Sequence, residues 1–65
     1  MVVYVLCAYV RDDSMDVKSI WTSLDEAKRE GVRVKDSNMY DGYVIYQAVL
    51  DHGDSAQEVI DYSFS

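Results

Sequence analysis

A chain of 65 residues makes one domain, and a small one, with a thin margin of buried surface. Twelve Asp and Glu against six Lys and Arg leave a net charge of −6, which argues against direct contact with nucleic-acid phosphates. With 49% hydrophobic and 28% charged residues the chain reads as globular and not disordered, and its single cysteine excludes an intrachain disulfide.

The opening run Val2 to Val10 is rich in β-branched and aromatic residues and reads as a strand. Both of its alternating sets are apolar, Val3, Val5, Cys7 and Tyr9 against Val2, Tyr4, Leu6, Ala8 and Val10, so a central strand covered at least partly on both faces is expected. The run is too short to span a bilayer and lacks the basic start and cleavage site of a signal peptide, so a cytoplasmic protein that crosses no membrane is expected. Asp12, Asp13, Ser14, Met15 and Asp16 are turn formers, and a second strand returns through Val17 to Trp21.

A helix follows. Ser23 fits the N-cap and Glu26, three residues later, completes a capping box, while Asp25 and Glu26 suit the positive end of the helix dipole. Leu24, Ala27, Gly31 and Val34 are its expected inward positions, mostly small, so it can lie close to a sheet. Residues 36–42 read as a loop and Tyr43 to Leu50 as a third strand. Asp51, His52, Gly53 and Asp54 signal a turn. Gln57 to Phe64 then alternates, Glu58, Ile60, Tyr62 and Phe64 against Gln57, Val59, Asp61 and Ser63, as a fourth strand, with a short helix from Ser55 as the alternative. The expected fold is a single small α+β domain over residues 1–65, a ββαββ order in which one helix packs on one face of an antiparallel sheet.

Three segments carry a likeness: Tyr4-Val5-Leu6, Ile20 to Lys28 with its Ser23-Leu24-Asp25-Glu26-Ala27-Lys28 helix start, and Tyr43-Val44-Ile45 through Leu50-Asp51. Together they resemble a loose group of short phage and bacterial proteins that open on a strand, start a helix on a Ser-Leu-Glu-Glu-Ala-Lys-like motif and close on a Tyr-x-Ile strand. Asp25 stands where many members have Glu. The resemblance implies this fold and a phage or mobile-element origin; it implies no activity.

Reactive groups are sparse. His52 is the sole histidine and sits in a turn, without ligands or a nucleophile at a recognisable spacing. Cys7 lies mid-strand among apolar residues, where a thiol acts as a small hydrophobe. Asp12, Asp13 and Asp16 form a turn, and the register from Asp36 puts Tyr40 and Asp41 where a calcium loop needs a ligand and a glycine. No catalysis, cofactor or metal is expected.

Binding is the better reading. Every base lies before residue 36, and Asp36, Asp41, Asp51, Asp54, Glu58 and Asp61 follow unopposed, so the whole net charge belongs to the second half. Six tyrosines, one tryptophan and one phenylalanine exceed what a core under one helix can cover. Tyr4, Tyr9, Tyr43 and Tyr46 are expected to line the sheet towards a partner. Asp51, Asp54, Glu58 and Asp61 are expected to form one acidic surface, with Tyr62 and Phe64 beside it. The expected function is a non-catalytic accessory protein that inhibits a host protein, with a basic one favoured, by occupying it. The same sheet would support a homodimer. Mimicry of nucleic acid by the spaced carboxylates, and a purely self-assembling module, are the alternatives.

Overall fold

The computed structural model describes residues 1–11, 13–49 and 56–64. Its elements run β1 (Val2–Tyr9), β2 (Met15–Trp21), α1 (Leu24–Asp36), β3 (Gly42–Val49) and β4 (Ala56–Ser63). The strands form one antiparallel sheet in the order β2-β1-β3-β4, with α1 over β1, β2 and β3. The ββαββ order is the expected one, and Ala56–Ser63 is a strand and not a helix. Leu50, Asp12 and the residues of the expected turn, Asp51 to Asp54 with His52, lie outside the described residues.

The two apolar runs are the central strands. β1 and β3 pair in unbroken register from Val2 opposite Val49 to Tyr9 opposite Gly42. Because side chains alternate across a strand, Leu6, Ala8, Tyr43 and Ile45 point to one face. They meet Ala27 and Val34 of α1 to form the core, flanked by Tyr4, Trp21, Leu24, Ile60 and Phe64. α1 starts where the Ser23 side chain accepts a hydrogen bond from the Glu26 amide and buries Ala27, Gly31 and Val34 as expected. Gly31 rests on the Tyr43 ring: a Cβ there would lie 2.7 Å from Cζ of Tyr43. The helix closes where the Ser37 hydroxyl donates to the Val34 carbonyl (2.6 Å) and Asn38 turns to a positive φ of 59°.

The expected partial cover on both faces of β1 is present, since Val3 and Cys7 are buried and Val5 and Tyr9 half-buried, but on one face neighbouring strands supply it and not a second layer. Among the described residues, no element packs on the face opposite α1. The least dimension of the molecule, 15 Å, holds one helix on one sheet and leaves no room for a third layer. The fourth segment, which could have folded across that face, extends the sheet in plane as its β4 edge.

Two irregularities set which side chains reach the open face. Leu6 pairs with Ser19 but Cys7 with Val17, so Lys18 is an extra residue in β2. Ile45 pairs with Ile60 but Tyr46 with Glu58, so Val59 is an extra residue in β4. Glu58 therefore does not share a face with Ile60 and Tyr62, as plain alternation suggested; it joins Asp61 on the open side.

Candidate interaction face

The open face is built strand by strand from this register. β2 contributes Met15, Val17 and Ile20; β1 contributes Val3, Val5, Cys7 and Tyr9; β3 contributes Val44, Tyr46 and Ala48; β4 contributes Ala56, Glu58, Asp61 and Ser63. Three strands thus present apolar and tyrosine side chains without a charge, and the fourth presents carboxylates. Cys7 and Val44 at the centre are buried between neighbours in register. Exposure concentrates on β2, where Val17 is 65%, Ile20 64% and Met15 50% exposed.

One end of the face is a depression of about 580 Å³, open to solvent, lined by Tyr9, Met15, Val44 and Tyr46 with Arg11, Asp13, Glu58 and Asp61 around them. Its shape depends on Gly42. A Cβ there would collide with the Tyr9 hydroxyl and the Tyr62 carbonyl, so only glycine lets the Tyr9 side chain lie across β3 towards β4. Asp41 clamps this end: its carboxylate accepts the Arg11 amide (2.8 Å), its amide donates to the Tyr9 carbonyl (2.8 Å), and its carbonyl accepts the Phe64 amide (2.8 Å). The Arg11 guanidinium donates to the Ser63 hydroxyl at 2.7 Å. Asp41, read from sequence as loop acid, has a structural task instead.

The expected partner-binding residues divide. Tyr9 and Tyr46 lie on the open face; Tyr4 packs against the core beneath α1, and Tyr43 is buried there at 9% exposure. Tyr4 and Tyr43 therefore belong to the covered side. Tyr62 and Phe64 join Tyr43 in an aromatic cluster on the helix side, with ring centroids 5.6–5.8 Å apart and the Lys35 ammonium 5.9 Å from the Tyr62 ring. β4 thus separates them from Glu58 and Asp61, and the expected single acidic surface with adjacent aromatics is two sides of one strand. Asp51 and Asp54 lie outside the described residues. What the sequence reading missed is the Met15–Val17–Ile20 ridge.

Burial raises the Cys7 thiol pKa above its ordinary value, which keeps it protonated and inert as a nucleophile at neutral pH. Tyr43 is raised by burial first and by Tyr62 second. On the other side of the molecule, Lys18 donates to the Tyr40 hydroxyl (3.1 Å), which in turn donates to Asp16 (3.4 Å). This chain ties the β2 bulge to the segment before β3. Among the described residues, no three His, Cys, Asp or Glu side chains gather where they could hold a metal, and no helix is long and apolar enough to cross a membrane. No protein family, curated protein or solved structure matches the chain.

Proposed function

We propose that the protein is a non-catalytic binding module that acts by occupying another protein. The observation that carries this reading is the uncovered sheet face, apolar over three strands and acidic on the fourth. Apolar patches beyond a few hundred Å² are uncommon on soluble monomers and mark interaction surfaces. The depression is wide open, whereas a catalytic site gains from excluding water. The likeness to short phage and bacterial proteins supports an accessory role against a host protein.

Charge supports a basic protein as that partner. Glu58 and Asp61 flank the apolar strands, and a protein of net charge −6 attracts a basic one from a distance. Nucleic-acid mimicry has less support. Duplex DNA carries a charge about every 1.7 Å of its axis, whereas the described part of β4 brings two carboxylates, Glu58 and Asp61, to this face.

The test is capture of host proteins on the immobilised wild type and on a Glu58→Lys, Asp61→Lys variant, followed by association kinetics with any protein retained. The reading expects a partner whose association slows at least tenfold with the variant at low salt, with the fold intact by circular dichroism. Identical retention and equal rates on both would refute it.

A further inference from the structure

Resting on the reading of the open face as a docking surface, we infer that its apolar strands are occupied by a second copy of this chain, in a reversible face-to-face dimer. Three features of the face point to a copy of itself. The first is charge placement: β2, β1 and β3 bring no charge to this face; Glu58 and Asp61 stand on β4 at one flank, and Arg11 and Asp13 of the β1–β2 turn stand at one end. A two-fold axis running along β1, between the two sheets, stacks β1 on its counterpart and β2 on the partner's β3. Each β4 then overhangs the far edge of the other sheet, so the four β4 carboxylates stay in water and do not face one another. Closed two-fold pairing of one self-complementary patch is the common symmetry of homo-oligomers.

The second is area. Three strands spaced about 4.8 Å apart, with eight residues rising about 3.4 Å each, project roughly 400 Å². Side-chain relief adds to this, so two copies bury on the order of 1,000 Å² together, the lower bound for a specific interface and well short of the standard one. That size fits a dimer with a dissociation constant in the micromolar range and not an obligate one. The third is where exposure lies: Val17 and Ile20, the most exposed apolar side chains of this face, fall within the covered strip opposite the partner's β3. The overhanging β4 flanks remain free, so a dimer offers a basic host protein two acidic edges at once.

Sedimentation velocity over a hundredfold dilution, from about 100 to about 1 μM, reads this directly. The expected result is a mass that moves from twice the 7.4 kDa of one chain towards one. Salt gives a second readout of opposite sign to binding a basic partner. Two copies of net charge −6 repel, so raising salt from about 0.05 to 0.5 M should tighten the dimer roughly tenfold. Val17→Asp with Ile20→Asp should abolish dimerisation without unfolding, since both side chains are exposed, while Val32→Asp on α1, 55% exposed, should leave it unchanged. The mass of one chain at every concentration overturns the dimer, and so does a dimer that resists the Val17 and Ile20 changes. Either outcome leaves the host-protein reading standing on its own kinetic test; equal rates there, with the dimer intact, would remove that reading alone.

Discussion

Gly31 and Tyr43 form the closest approach between helix and sheet, and the contact has a measurable consequence. A methyl group on Gly31 would sit 2.7–3.0 Å from three ring atoms of Tyr43, a side chain held beneath α1 and stacked on Tyr62 at 5.6 Å. Gly31→Ala gains helix propensity of about 1 kcal/mol, but overpacking a buried site costs about 1–3 kcal/mol. The net expectation is a loss of up to about 2 kcal/mol by urea denaturation. A more stable Gly31→Ala protein would show that the ring yields freely. The buried ionisable groups set a pH dependence. Cys7 and Tyr43 both have folded pKa values raised above their unfolded ones, so each favours the folded state fully below the unfolded value and loses that contribution as pH rises. Stability should decline from pH 9.0 upward as the unfolded thiol ionises, and further above 10.0 as tyrosine follows. Cys7→Ala should flatten the first part of the decline. A flat profile between pH 8 and 10 in the wild type would contradict the burial of the thiol.

At the scale of elements, the bulges at Lys18 and Val59 do the sorting. Because Lys18 is the extra residue, deleting it restores plain pairing and leaves Met15, Val17, Ser19 and Trp21 on the faces they already occupy. The cost should be limited to the surface bond to Tyr40 and to local strain, about 1 kcal/mol by urea denaturation, well below the losses of about 3 kcal/mol or more that mark core disruption. Ser23→Ala should cost about 1 kcal/mol through the lost cap. These elements also show what the sequence discloses. β1 was legible as a continuous apolar run, β3 as one broken only by Gln47, and α1 as a cap followed by Leu24, Ala27, Gly31 and Val34 at helical spacing. The helix covers one face of a sheet that is apolar on both, and that too follows from the residue pattern. The sides of β2 and β4 were not legible, because one extra residue reverses the alternation and no local signal places it. Met15, Val17 and Ile20 share a face at spacings of two and then three. One division follows from spacing alone: Tyr43 and Tyr46 are three apart within one strand, and Tyr4 and Tyr9 five apart, so neither pair can share a face.

For the whole molecule, a sheet with two apolar faces and one helix is an unfinished layering. In so small a domain, each apolar side chain left in water forgoes stabilisation of up to about 1.5–3 kcal/mol on full burial, so a partner that covers the face stabilises the fold by mass action. The central claim is that this face is the one that becomes covered. Its most direct test uses two methionines already in the chain. Met15 lies on the open face and is 50% exposed, while Met39 lies beyond the end of α1 and is 71% exposed. Methionine oxidation follows exposure, so their rates under a dilute peroxide pulse, read by mass spectrometry, report the two sides of the molecule separately. Met15 should become several-fold slower to oxidise as protein rises from about 1 to about 100 μM, or when a captured partner is added, with Met39 unchanged. Constant rates at Met15 under both conditions, or protection of Met39 alone, would contradict the account.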